Sequence, residues 1–533
     1  MKLRHGLGLA LAGWLGCAAP WPAAAQTLTM GVEAPFGLDP HFLFAGPNMA
    51  AARHIYDSLI NRDAESRFVP GIVESWRMLD DHSWELVLRR GVTFHDGSPF
   101  TAEDVAFTLA RVPNLPNNPG PYTSNLRTIT GVEVVDPHTI RIRTDRANPV
   151  LMGQLTNIFV LSKAAAEGAT TGDFDSGRAA IGTGPFRLVQ SRGTEGMTIA
   201  RNPGYWGAPA AYERVELRVI SNDATRMAAL LSGDVDLIES VPPANVERLE
   251  RDPRIAVFRR NSDRIMYLLP NLRAGLTLLT DATGQPLRDN PLRDLRVRQA
   301  LSLAIDRQAL VARALDGQGV ATAQMVPEQF GGHDPGLAAP HADIARARAL
   351  LAEAGYPNGF GMTIGCSNNR YTNDARVCQA AGQMLSRIGL QMRVETQPWN
   401  VFSPRTVETR NDLPLMLYGL SLSSSRDASY ILSTAVHTRN VAEAFGQGNR
   451  GQFSDARLDG LIDALIPRAD AGREAELRRV MRAAMDQVPI IPLYNQVVIV
   501  AARRGITYVP RMDEQMVAYQ ARPDGATPQG ATR

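Results

Sequence analysis

The chain has 533 residues and carries 56 Lys and Arg against 54 Asp and Glu. That near-balance argues against a nucleic-acid partner, because such binders concentrate a basic surplus on one face. The length exceeds what one hydrophobic core organises and predicts two or three domains of roughly 100 to 200 residues each.

Met1 to Ala25 begins with Lys2 and Arg4, continues with an apolar centre from Leu7 to Ala19, and ends in the small residues Ala23, Ala24 and Ala25. This is the pattern of a secretory signal peptide cut before Gln26. A membrane anchor needs roughly 20 apolar residues, whereas this run is shorter and interrupted by Pro20 and Pro22. Cys17 would permit lipidation, but Trp14 stands where a lipobox prefers Leu. After cleavage only Cys366 and Cys378 remain. In an exported protein a single disulfide is the default reading, contributing about 3 kcal/mol for a loop of that size, and two unpaired buried thiols fit the same spacing. Two thiols and scattered histidines give no metal-site spacing.

In chain order, TLTMGVEAP from Thr27 reads as a first strand leading into FGLDPHF. An amphipathic helix with Ala51, Ile55, Leu59 and Ile60 on its apolar face is expected next. Asp39, before Pro40, shapes a turn. From Trp84, the alternation of Trp84, Leu86 and Leu88 with Glu85, Val87 and Arg89 predicts a half-buried strand. His95, Asp96 and Gly97 turn the chain, and Thr101 to Asp104 has the form of a capping box opening a helix with Val105, Phe107 and Leu109.

The run from Gly71 to Leu109, with the pattern ESW…D…W.L.LR.GV.FHDG.P.TAEDV.F.L, resembles the extracellular solute-binding proteins of family 5, the dipeptide, oligopeptide and nickel receptors of ABC importers. The start, a strand followed by LDP, is similar to that family, as are GTGPFRLVQ (Gly182 to Gln190) and RNPGYWG (Arg201 to Gly207), whose aromatics are read as packing. DATRMAALLSGDVDLIES predicts a helix capped by Asp223 and stopped near Gly233, then a buried strand. NPLRDLRVRQALSLAIDRQALV predicts a helix capped by Asp294, with Arg296, Arg298 and Gln299 off its apolar stripe. Asp343 and Gly355 bracket another helix, and Val377, Met384, Leu385 and Ile388 mark the apolar face of the one after CSNNRY. The resemblance runs from about Leu28 to about Arg511, and the last dozen residues read as a loose tail.

The resemblance implies an α/β, two-lobed periplasmic-binding-protein-like fold, type II, in its large variant with an inserted subdomain. The expected division is a signal peptide over 1–25, a first lobe over 26–261 plus 488–533 with 71–182 inserted, and a second lobe over 262–487. It further implies an interlobe cleft for a small-molecule or peptide ligand, delivery to an inner-membrane ABC permease, a periplasmic monomer, and neither cofactor nor catalysis. In peptide-binding relatives a "GW..D" segment supplies the acid for the ligand's α-ammonium. The corresponding stretch here is LMLYGLSLSSSRDASYILST, in which Gly419 matches, Leu420 stands in place of Trp and Ser423 in place of the acid. Loss of that charge costs a bond of about 1.5 to 3 kcal/mol, so Ser423→Asp is expected to improve binding of unblocked peptides. Asp427, or Glu33 from the other lobe, could restore the charge, and Arg426 could pair with an anion. Phe36 beside the first strand, Tyr267 and Asn271 on the crossing strand, Trp399 and Asn400, and Tyr494 and Asn495 are the remaining pocket positions implied by the resemblance.

GQGNRG (Gly446 to Gly451) has dinucleotide-loop spacing without the strand-turn-helix context that motif needs. No hydrolase motif is present in the linear sequence. An exported hydrolase and a chemoreceptor ligand sensor remain the alternatives, the first separable by a turnover assay on peptides and esters.

Overall fold

The computed structural model describes residues 27–525 apart from 340 and 408. The predicted signal peptide, with Cys17, lies outside the described residues. The first lobe is built on strand Thr27–Val32, which pairs in parallel with Arg214–Val219 and with Leu237–Ile238; Gly196–Arg201 and Phe186–Ser191 extend the sheet antiparallel. Leu28 and Met30 are fully buried in its core with Ile55, Phe159, Phe186 and Val500.

Two long strands, Ile255–Pro270 and Ile491–Arg503, run antiparallel from one lobe into the other. At one end the return strand pairs with Leu237–Ile238; at the other the outgoing strand pairs with Leu415–Ser421. The second lobe adds Gly361–Ser367 and Gln391–Gln397, aligned in parallel. Between the two lobes the long pair is interrupted. Asn261 is opposite Val497 and Ile265 opposite Asn495, so Ser262, Asp263 and Arg264 share a single opposing residue, Gln496, and bulge out. An unpaired insertion of this kind bends a strand and re-aims its side chains.

A separate four-stranded antiparallel sheet follows the first helix, in the order Val73–Asp80, Ser83–Leu88, Thr139–Thr144, Ile129–Asp136. Trp84, Leu86 and Leu88 point into its core, and Val87 is exposed, as period two requires. Glu85 is nevertheless covered, because Arg77 and Arg141 both bond its carboxylate. Asp104 closes the start of helix Ala102–Arg111 by accepting from the Thr101 backbone N–H at 2.9 Å and hydroxyl at 3.2 Å. Asp39 ties this sheet's helix to the first lobe through a two-pronged bond with Arg111, at 3.0 and 2.7 Å.

Several expectations are corrected. The first helix ends at Ile55, and Leu59 and Ile60 belong instead to the core of the inserted sheet. The cause is the approach of Gly182 and Gly184: the Gly184 N–H donates to the Ile55 carbonyl at 2.9 Å, and a Cβ at either glycine would collide with Ile55. The cap before Asp223 is Asn222, whose side chain accepts from the Thr225 N–H at 2.9 Å, while Asp223 is already helical and pairs with Arg226 at 2.8 Å. Arg298, predicted off the apolar stripe, is buried: its guanidinium donates to the carbonyls of Leu292, Arg293, Gln487 and Val488. Cys366 and Cys378 form a disulfide, Cα–Cα 6.4 Å, inside the second-lobe core.

Candidate functional site: a polar junction between the lobes

The bulge decides what the lobes share. Asp263 is fully buried; its N–H donates to the Met512 carbonyl at 3.0 Å, and its Oδ1 accepts from the Ser421 hydroxyl at 2.6 Å. Its Oδ2 has no partner. Burial, then the nearby Glu514 and Asp513 carboxylates, push this acid up to about 7 against the opposing pull of Ser421 and Arg62. Either side of it, Ser262 and Arg264 are turned onto Glu514: the serine hydroxyl donates at 2.7 Å and the arginine Nη2 at 2.6 Å. Burial would raise Glu514, but Arg264 outweighs that and holds it below the usual range.

The first lobe contributes arginines. Arg62 has a fully buried side chain; its Nη2 donates to Asn157 Oδ1 at 3.0 Å and its Nε lies 3.9 Å from Asp513 Oδ2, beyond hydrogen-bond reach. Neither Nε nor Nη1 has a hydrogen-bond partner. Asp513 is already engaged by Arg511, at 2.9 and 2.7 Å, and the surrounding arginines hold it far down despite its burial. Asn157 also donates to Ser424 Oγ at 3.2 Å, so one amide joins the lobes. At the rim, Arg146 pairs with Glu443 at 3.0 Å and Arg127 bonds the Ala442 carbonyl.

A cavity of about 650 Å³ borders this junction, lined by Glu65, Arg260, Asn261, Gly317, Arg426 and Met512 among others. Arg426 adopts φ 56°, its guanidinium stacks over Phe330 at 5.3 Å, and its buried Nε has no partner. The junction thus holds buried donors and one buried acceptor, Asp263 Oδ2, that are incompletely matched within the protein, and Asp263 and Arg62 are not among the residues lining that cavity.

The predicted positions separate into three groups. Ser423, Arg426 and Asn495 reach the junction: Ser423 Oγ is 3.4 Å from Ser421 Oγ, and Asn495 Nδ2 donates to the Arg264 carbonyl at 3.4 Å. Trp399 is half-buried among Tyr371, Phe402 and Tyr418, with Arg370 over its ring at 5.6 Å, and Asn400 is exposed. Gly419 sits opposite Met266 on the crossing strand, and Leu420 packs against the second-lobe core.

The third group is engaged elsewhere. Tyr267 is cross-strand from Tyr418 in an apolar core, and Tyr494 is fully buried in another. Asn271 donates to the Leu413 carbonyl at 3.0 Å and fastens a strand end. Phe36 lines a different, 380 Å³ pocket on the first lobe with Leu38, Phe42 and Leu43. Glu33 is exposed; its N–H donates to Glu239 at 2.7 Å, and burial followed by repulsion from Glu33 pushes Glu239 up to about 8. Asp427 cannot serve as the displaced acid, because its Oδ1 accepts from the Ser429 N–H at 2.9 Å and its Oδ2 is paired with Arg473 at 2.7 Å.

Asp263 and Arg62 were not among the predicted positions. For Asp263 a signal existed: within IAVFRRNSDRIMYLLP the polar stretch RRNSDR separates the apolar segments IAVF and IMYLLP of one long strand. Arg62 carried none.

The sequence profile of the bacterial extracellular solute-binding proteins, family 5 Middle, matches residues 67–443. The chain belongs to this family. Among family-5 relatives, heme-binding protein A of Haemophilus influenzae is 25% identical over 498 residues, covering 87% of this chain and 86% of that one. The glutathione-binding protein GsiB of Escherichia coli is 28% identical over 519 residues, covering 94% of each. Among solved structures, the periplasmic binding protein DppA of Helicobacter pylori, in complex with the peptide STSA, superposes with a TM-score of 0.77 at 22% identity, covering 93% of this chain and 98% of that one.

Proposed function

We propose that this protein is the exported substrate-binding receptor of an ABC importer, capturing a peptide or peptide-like solute between its lobes and handing it to the membrane permease. It performs no chemistry on that solute and acts as a monomer. The observation that carries the reading is the bulge at Asp263, where the long strands pass between the lobes and a buried carboxylate oxygen and the buried Arg62 nitrogens are left without hydrogen-bond partners. Such strands are a natural hinge, and ligand contacts from both sides favour closure. The similar proteins bind heme, glutathione and peptide by their names, and the polarity of this junction favours the last two chemistries over heme.

Mass spectrometry of the solute that co-purifies with the native protein tests the reading directly. With that solute added back, small-angle scattering is expected to show a smaller radius of gyration than the stripped protein. An unchanged profile at saturation, or turnover of the solute, would reject the receptor function.

A further inference from the structure

The 650 Å³ cavity is lined from both lobes and carries a charge imbalance of its own. The turn between strands Asn61–Arg62 and Phe68–Val69 gives it Glu65 and Arg67, the outgoing long strand gives Arg259 and Arg260, and the second lobe gives Gln329 and Arg426. Four arginines thus meet one acid among its lining residues. Three of them are matched within the protein: Arg67 by Asp63 at 2.6 Å, Arg259 by Glu250 at 2.7 Å, and Arg260, through Nη1, by Glu65. Among the described residues no carboxylate pairs with Arg426, whose guanidinium is placed by stacking over Phe330. Asp63, whose charge it feels, is committed to the Arg67 side chain and to the N–H groups of Glu65 and Arg67. The Nε atoms of Arg426 and Arg260 are both buried without a hydrogen-bond partner. Arg426 stands at φ 56°, fixed there by its N–H donating to the Leu422 carbonyl at 3.0 Å and its carbonyl accepting from the Gly331 N–H at 2.9 Å. Glycine would hold that conformation at less cost, so the turn itself does not call for an arginine.

We propose that Arg426 and Arg260 form an oxyanion site in this cavity, taking one carboxylate or phosphate group from a free anion or from an acidic part of the bound solute. The second source rests on the receptor reading; the first does not. A cation would be repelled by the surplus arginine, and a neutral group would leave its charge unmatched. Burial works against the charged form of Arg426, Asp63 supports it, and Arg67 opposes it; the balance lowers its pKa. An anion at the guanidinium offsets that desolvation with charge-assisted bonds, and the unbonded Nε of each arginine is a donor the protein itself leaves unused.

The test is calorimetry on the full-length mature protein, stripped of solute, with sodium phosphate at an ionic strength held constant by chloride, and with the peptides Ala-Glu-Ala and Ala-Gln-Ala. Binding of phosphate at one site per chain, weakened at least about 10-fold in Arg426→Gly and less in Arg260→Gln, supports the site with a free anion as its source. Tighter binding of Ala-Glu-Ala than of Ala-Gln-Ala by about 10-fold, falling below about 3-fold in Arg426→Gly, supports it with the solute as the source. Because glycine suits φ 56°, Arg426→Gly should have a urea midpoint no lower than the parent, so that lost binding reports the guanidinium and not the fold. Arg426→Asn, which also tolerates that conformation, is the second variant and should lose the same binding. If phosphate gives no more heat than chloride and the two peptides bind alike, or if both Arg426 variants keep the native preference, the site is overturned. The receptor reading survives that result, since it stands or falls on the solute that co-purifies.

Discussion

Two sets of buried arginines show how the same side chain serves a core and a site. In the second lobe, Arg298 and Arg307 are enclosed by apolar helices, and every nitrogen of each finds an acceptor: for Arg307, the Pro492, Ser302 and Ile305 carbonyls and the Ser302 hydroxyl. At the junction, Arg62 is just as buried but keeps two nitrogens without a hydrogen bond. The first arrangement fixes a shape, since a guanidinium that saturates helix-end carbonyls holds the return strand against its neighbours. The second leaves capacity for something else. Burial alone therefore does not separate the two sets; completeness of bonding does.

The sharpest way to break that comparison is to remove the saturated arginine. Arg298→Met strips donors from buried carbonyls at Leu292, Arg293, Gln487 and Val488 and is expected to cost about 3 to 5 kcal/mol in urea unfolding, with ligand affinity per folded molecule unchanged. Loss of affinity without loss of stability would show that the two sets do not differ in kind.

Asp263 gives the next effect, with a sign set by its shift. Its folded value of about 7 lies above the ordinary 3.8, so the native protein holds a proton that the unfolded chain releases. Stability from this group is complete at low pH and is lost as pH rises through 7. Asp263→Asn is neutral at every pH. Without ligand it should match the parent near pH 4 and exceed it by on the order of 3 kcal/mol at pH 8, read from denaturant midpoints at both pH values. A variant less stable at pH 8 would mean that the carboxylate is matched in the free protein.

Arg62→Met should change stability by no more than about 1 kcal/mol, because Asp513 retains its two bonds from Arg511. A cost as large as that of Arg298→Met, in the same unfolding assay, would place Arg62 with the structural set. Smallest is the rim pair: Arg146→Ala should shift lobe closure by less than about 0.5 kcal/mol, since both partners are partly exposed, and the effect should vanish in high salt when followed by scattering.

Much of the fold was legible because local patterns agreed with the tertiary outcome. Period-two alternation at Trp84, Leu86 and Leu88, the turn at Gly97, the Asp104 cap and the Asp294 cap each depend on neighbours a few residues away, and the structure places them as expected. The caps misread at Asn222 and the helix end at Ile55 depend on which residue first becomes helical and on the remote glycines at 182 and 184. Arg298 reads as solvated on a helical wheel, and only the return segment at Gln487 and Val488 makes it a core residue.

For the site, the chain by itself determined the family pattern and the absence of an acid at Ser423, since both are statements about residue identity at matched positions. What only tertiary structure decided is which charged groups meet at the junction. Asp263, Arg62 and Asp513 are separated by hundreds of residues and converge because a strand bulges where it passes between lobes and a C-terminal segment folds back beneath it. The availability of Asp427 was likewise decided in space, by Arg473 on a helix that follows it in sequence and returns to cover it. Electrostatic matching depends on distance through the folded protein, and separation along the chain carries almost no information about that distance.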